Sequence, residues 1–243
     1  MNEVAVQEAG ITINALGKSV SGKALLFDLD GTLADTAPDL LQALNRVLSV
    51  LNFSPVLLED ARNWIGSGMR SLLETALVSS IGSVPDPALV DKGMTLFDLF
   101  YAEGVWVKST CYPGVVEGLS EFKKIGLKMG CVTNKPRFFT EALLKKSRLD
   151  VFFDVVVAGN DLCEKKPAPL PLLHAAERLQ VSPQVCVVIG DSQNDIDAAL
   201  GAGMMMLLVT WGYFQSGKVS QMGATQLIKE FSQIRNVVTR SIR

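Results

Sequence analysis

Five short stretches of this chain are apolar almost without interruption: ALLFD (24–28), LKMGCVT (127–133), DVVVAG (154–159), VCVVIGD (185–191) and MMMLLVT (204–210). A half-exposed sheet alternates apolar and polar residues. Continuous apolar character marks strands buried on both faces, as in a parallel sheet covered by helices. Helical patterns lie between the runs, among them GVVEGLSEFKKIG, RFFTEALLKKSRL, PLLHAAERLQ and NDIDAALGAG. The alternation predicts an α/β fold built on a doubly wound parallel sheet.

One segment breaks the rhythm. From residue 37 to 110 the pattern is helical throughout. PDLLQALNRVLSVL sets Leu40, Leu41, Leu44, Val47, Leu48 and Leu51 along one face at the helical period. Thr36 and Asp39 have the spacing of a capping box at its start. SGMRSLLETAL and PALVDKGMTLFDLFYAEG add further helices, far more than a strand-to-strand crossover needs. The expected organisation is an N-terminal extension over 1–22, an α/β core formed by 23–36 and 111–243, and a helical cap domain over 37–110.

Composition removes several function classes. Of 243 residues 48% are hydrophobic and 20% charged, which describes a globular chain and not a disordered one. A net charge of −2 without blocks of like charge offers nothing to nucleic acid or an anionic membrane. No apolar run approaches the ~20 residues of a membrane span, and residues 1–22 lack the basic start, apolar core and cleavage site of a signal peptide. Cys111, Cys131, Cys163 and Cys186 are scattered and form no C-x-x-C pair, so neither a zinc site nor a redox dithiol is expected. With no export signal, reduced thiols in the cytoplasm are expected, and the chain is expected to be a monomer or homodimer. The stretch Gly17 to Lys23 fits most of a Walker A pattern. Ala24 stands where Ser or Thr is needed, however, and the stretch precedes a strand, so it reads as linker. His174, the only histidine, falls in a predicted helix and reads as structural.

In an open parallel sheet, ligands bind beyond the carboxyl ends of the strands. The polar residues fall there. The first run ends in Asp28, with Asp30 beyond it; the second ends in Thr133-Asn134-Lys135; the fourth ends in Asp191-Ser192, with Asn194 and Asp195 following. The loop after the third carries Lys165-Lys166-Pro167. Carboxylates, a hydroxyl and an ammonium gathered at one edge suit phosphoryl transfer. An ionised Asp28 can attack phosphorus without a base, splitting one displacement into two through an aspartyl-phosphate. Asp30, two residues on, can protonate the leaving alkoxide and then deprotonate water. Thr133 and Lys166 would hold the phosphoryl oxygens. The crowded carboxylates need a counter-ion, and all-oxygen ligands suit Mg²⁺.

Asp28-Leu29-Asp30-Gly31-Thr32 (D-x-D-G-T), Val132-Thr133-Asn134, Lys166-Pro167 and Gly190-Asp191-Ser192-Gln193-Asn194-Asp195 (G-D-S-x-x-D) together resemble the four motifs of the haloacid dehalogenase superfamily of phosphohydrolases. The resemblance spans roughly residues 23–212. It implies Asp28 as nucleophile, Asp30 as acid/base, and Thr133, Asn134 and Lys166 at the phosphate. It also implies Mg²⁺ on Asp28, the Asp30 carbonyl and Asp191, with Asp195 in support, and a helical cap of the kind placed between the first two motifs. A narrower resemblance to phosphoglycolate phosphatases rests on DLDGTLADTAPDL, NWIGSGMRSLLETAL, CVTNKP and GDSQNDIDAALGAG. It implies a small phosphorylated diacid as substrate, with Gly66, Gly68 and Arg70, or Arg62, as candidates for its carboxylate. Another small phosphate ester, a sugar phosphomutase activity and a non-hydrolytic phospho-acceptor module are the alternatives. The chain departs from the family pattern at Leu170-Pro171, where Asp-Pro is usual, and in its C-terminal tail.

Overall fold

The computed structural model describes residues 12–13, 19–20, 23–213 and 224–239. An antiparallel pair, β1 (Thr12–Ile13) and β2 (Ser19–Val20), precedes β3 (Ala24–Phe27). After β4 (Ala34–Asp35) come four helices in succession: α1 (Ala37–Val50), α2 (Leu58–Trp64), α3 (Met69–Ile81) and α4 (Pro87–Gly104). β5 (Thr110–Cys111) returns the chain to α5 (Val115–Lys124), β6 (Lys128–Val132), α6 (Arg137–Ser147) and β7 (Val155–Val157). Then follow α7 (Leu170–Arg178), β8 (Cys186–Gly190), α8 (Gln193–Gly201), β9 (Met205–Val209), β10 (Gln226–Ile228) and α9 (Ser232–Thr239).

Six strands form one sheet in the order β10-β9-β8-β3-β6-β7, each pair of neighbours parallel. The expected doubly wound sheet is present, and each of the five apolar runs supplies one strand. Side chains alternate across the central strand: Leu25 and Phe27 enter the core on one face, Ala24 and Leu26 the core on the other. All four are fully buried, and each large side chain so placed stabilises the fold by about 1.5–3 kcal/mol.

The sixth strand has a different origin. Gln226 and Leu227 of β10 are exposed, so this edge strand lacks the continuous apolar signature of the others. Beyond it, the Phe231 ring stacks on Phe27 (centroids 6.0 Å apart, planes 12° apart) and meets Phe122 and Trp211. The tail thus closes the face of the sheet that carries Phe27. Most of the N-terminal extension and of the Gly17–Lys23 stretch, with residues 214–223 and 240–243, lies outside the described residues. No helix among the described residues is long and apolar enough to cross a membrane.

The helical insert leaves and re-enters the core at one place, because β4 and β5 pair with each other, Ala34 opposite Cys111. The capping box expected at Thr36 and Asp39 does not form. Thr36 instead donates its hydroxyl hydrogen to Asp30 Oδ1 (2.5 Å). The Tyr213 hydroxyl accepts the amides of Thr36 and Ala37 at 2.7 and 2.9 Å. Asp39 accepts the amides of Val107, Lys108 and Ser109 at 3.0, 2.8 and 2.9 Å, and the Ser109 hydroxyl as well. A buried carboxylate needs several donors. The return loop offers four, where the helix end offers one, and the distant partners win. Asp39 therefore staples the exit of the insert to its entry. α7 begins at Leu170 without a side-chain cap.

Candidate active site

The chain winds from β3 toward β6 on one side and from β8 toward β9 on the other, so the connections diverge between β3 and β8. A crevice opens beyond strand ends at such a point. Asp28 follows β3 directly and Asp191 follows β8. Asp195, on the first turn of α8, joins them: one carboxylate oxygen of each lies within 4.8 Å of the others, and all three residues are buried.

Each member of this cluster is held by named donors. The Lys166 ammonium donates to Asp28 Oδ1 (2.7 Å), Asp195 Oδ1 (2.6 Å) and the Val132 carbonyl (2.7 Å). Asp195 Oδ2 accepts the Ser192 amide and hydroxyl, which closes the capping box that starts α8. Asp191 accepts the Thr32 hydroxyl at 3.0 Å and the Tyr213 amide at 2.8 Å. Burial pushes the Asp28 carboxyl up to about 7; Lys166 opposes this, and the nearby Asp195 and Asp30 add to it. Asp191 is raised in the same way, by burial first and then by Asp28 and Asp195. Burial works against the charge on Lys166, yet its two carboxylate partners hold its pKa above that of an ordinary lysine.

Gly31 makes this crowding possible. Its φ of +88° lies in the left-handed region, and a Cβ there would stand 2.2 Å from Asp191 Oδ2. Gly31→Ala is therefore expected to displace Asp191 and lower kcat/KM about 10²-fold or more, with the far-ultraviolet circular dichroism spectrum unchanged. Wild-type kinetics in that variant would show that Asp191 can shift freely.

Asp30 accepts both the Thr36 hydroxyl and the Lys135 ammonium, the latter on Oδ1 (3.0 Å) and Oδ2 (3.1 Å). Thr133 stands at the end of β6, its Oγ1 accepting the Lys135 amide at 3.2 Å. Asn134 donates from Nδ2 to the Lys166 carbonyl (2.8 Å) and to the Gly66 carbonyl of the insert (3.0 Å). Asn194 donates to Ser67 Oγ (3.1 Å), and Lys165 to the Ser67 carbonyl (2.7 Å). The loop before α3 is thereby docked on two core loops and on the first turn of α8. Between core and insert lies about 370 Å³ of empty space, part of it open to solvent. Asp28, Asp30, Thr133, Asn134 and Lys135 form the core wall; Ile65, Gly66, Gly68, Met69 and Leu72 face them from the insert.

The structure thus brings Asp28, Asp30, Thr133, Asn134, Gly66 and Gly68 to one cavity, with Lys166, Asp191 and Asp195 packed around Asp28. It does not bring Arg70 there. That side chain is about half exposed and pairs with Asp91 (2.6 Å) and Glu74 (3.2 Å). Arg62 pairs with Asp35 (2.7 Å). His174 lies on α7, partly exposed and near Glu177. Sequence reasoning missed Lys135, which stands at a predicted helix start, and Tyr213, which no motif marks.

The residues fit a hard divalent cation. Of the three buried carboxylates only Asp28 and Asp195 pair with an ammonium, and they share one, so negative charge in the cluster exceeds positive, and every available donor is oxygen.

Residues 25–209 match the family of haloacid dehalogenase-like hydrolases. Two relatives named phosphoglycolate phosphatase, from Nitrosospira multiformis and Thiobacillus denitrificans, are 37% and 38% identical to this chain; each alignment covers 90% of this chain and 96% of the relative. A solved structure from Haemophilus somnus, described as a predicted phosphoglycolate phosphatase, aligns with a TM-score of 0.83 at 28% identity, over 90% of this chain and 98% of that one. The crevice between β3 and β8, the order of the motifs around it and the extent of these matches agree: the chain belongs to the haloacid dehalogenase-like hydrolases.

Proposed function

We propose that this chain is a Mg²⁺-dependent phosphomonoesterase that hydrolyses 2-phosphoglycolate through a phosphorylated Asp28. One observation carries the proposal. Two carboxylates line the cavity: Asp30 has both oxygens held by the Lys135 ammonium, whereas Asp28 has Oδ1 held by the buried Lys166 ammonium and an Oδ2 that accepts no hydrogen bond from the described residues. That oxygen attacks phosphorus, the bond from phosphorus to the substrate's alkoxide oxygen breaks, and Asp30 gives the alkoxide a proton. Asp30 then takes a proton from the water that attacks the phosphorylated Asp28, releasing phosphate and restoring the carboxylate. Lys166 and the Thr133 hydroxyl offset charge on the phosphoryl oxygens. Asp28, the Asp30 carbonyl and Asp191 would hold Mg²⁺, with Asp195 in support; when bound, it neutralises the phosphoryl group against the carboxylates. The helices of residues 37–110 serve as the cap that covers the cavity. The substrate assignment rests on the similar proteins named phosphoglycolate phosphatase. Four free thiols support a reducing compartment, the cytoplasm.

Phosphate release over a panel of 2-phosphoglycolate, hexose phosphates, nucleotides and pyrophosphate tests this. Turnover of 2-phosphoglycolate is expected to exceed the rest at least about tenfold, which corresponds to about 1.4 kcal/mol of extra transition-state binding, and chelation of the metal is expected to stop it. A flat profile would remove the substrate assignment. Turnover that survives chelation would remove the metal. Added Mg²⁺ at about 100 times its Kd is also expected to stabilise the chelated protein by about 2.7 kcal/mol, read as a rise in Tm.

A further inference from the structure

A small carboxylate entering the cavity must find donors there or lose its hydration uncompensated. The three arginines of the insert are committed elsewhere, Arg46 to Glu103, Arg62 to Asp35 and Arg70 to Asp91 and Glu74. Lys165 donates to the Ser67 carbonyl on the outside, and Lys166 is spent on Asp28 and Asp195. Among the residues lining the cavity one cation stands out: Lys135. Its side chain is 1% exposed, which is rare for a lysine and tolerated only with partners. Those partners come from both the core and the insert. Asp30 belongs to the core, while the Tyr101 ring, 4.8 Å from the ammonium, belongs to α4 of the insert. The facing wall is apolar at Ile65, Met69 and Leu72, and offers the N-terminal end of α3 at Gly68, which has no side-chain cap.

We propose that Lys135 is the specificity-determining residue, its ammonium binding the substrate's second anionic group while phosphorus sits at Asp28. This rests on the phosphoglycolate reading above. It moves recognition of the carboxylate from the insert, where the arginines lie, to the core loop after β6. An ammonium has three N–H donors, so a carboxylate can share it with Asp30. A substrate with a methyl group in place of the carboxylate leaves the ammonium with Asp30 alone and gains nothing from it.

The test compares kcat/KM for 2-phosphoglycolate with that for ethyl phosphate, which carries a methyl group where the other has its carboxylate. Wild type is expected to prefer 2-phosphoglycolate. In Lys135→Met the ratio is expected to fall about 10- to 100-fold, the range for loss of a charge-assisted hydrogen bond. Lys135→Arg is expected to retain part of the preference. A residue that only supported the fold would slow both substrates alike and leave the ratio at its wild-type value, and that result overturns the inference. So does a collapse of the ratio in Arg70→Ala with no change in Lys135→Met. If the Met variant does not fold, Lys135→Gln, which can still donate to Asp30, carries the same measurement. A wild-type enzyme with no preference for the carboxylate overturns the substrate assignment and this inference with it; a preference that survives in Lys135→Met overturns the inference alone.

Discussion

Replacing Asp28 with Asn is expected to lower phosphate release by roughly 10⁴-fold or more, the scale seen when an enzyme loses its nucleophile, and to leave the protein folded. The amide keeps the shape of the carboxylate and an oxygen that can still accept from Lys166, so the 2.7 Å contact has a substitute. It has no charge with which to attack phosphorus. The substitution also removes one of three buried carboxylates gathered within 4.8 Å. The Tm measured without divalent cation should therefore stay within a few degrees of wild type, since repulsion and ion pairing are lost together. Phosphate release and a thermal melt on the same preparation check both halves. Turnover near the wild-type rate would take Asp28 out of the mechanism.

Lys166→Met is expected to be the more damaging change to the fold. The ammonium is 3% exposed and is the only cation touching Asp28 or Asp195 among the described residues. A methionine fills the same volume and leaves both carboxylates buried without their counter-charge. Removing one partner of a buried pair costs about 3–5 kcal/mol, on the order of 10 °C in Tm for a domain of this size. Turnover should fall about 10²- to 10³-fold, as when one preorganised donor to a developing charge is lost. Denaturant unfolding with and without Mg²⁺ separates the effects, because the cation should restore part of the stability and little of the rate. Unchanged stability in both conditions would mean that Lys166 does not hold the cluster together.

Most of the sheet and much of the site could be read from residue order because both are written locally. A strand buried on two faces must be apolar along its length, and the residue that ends it must then meet solvent or ligand. Asp28, Thr133 and Asp191 all follow from that one fact. What could not be read depends on contacts across long separations. Asp39 looks like a helix-start residue, and its true donors lie 68 to 70 positions away. Thr36 has the composition of a cap, but its hydroxyl goes to Asp30 and its amide to Tyr213, 177 residues distant. Arg70 reads as a carboxylate ligand until Asp91, on the next helix in sequence, claims it. Lys135 is the converse case. It follows Thr133-Asn134 and resembles a solvated charge before a helix, and only the placement of Asp30 and Tyr101 on either side reveals a buried ammonium.

The pairing of β4 with β5 bears on how such a chain can change its substrate. Because Ala34 stands opposite Cys111, the two ends of the helical segment are one strand spacing apart, about 5 Å. A foreign segment with adjacent ends could be spliced between Asp35 and Thr110 without altering the register of any strand in the main sheet. In such a chimera the fit around the body of the substrate would come from the donor. Lys135 and Asp30, carried by the recipient, would bring the preference for a second negative charge wherever the donor again covers the ammonium as Tyr101 does. Substrate choice in this architecture is then divided between two separately exchangeable parts.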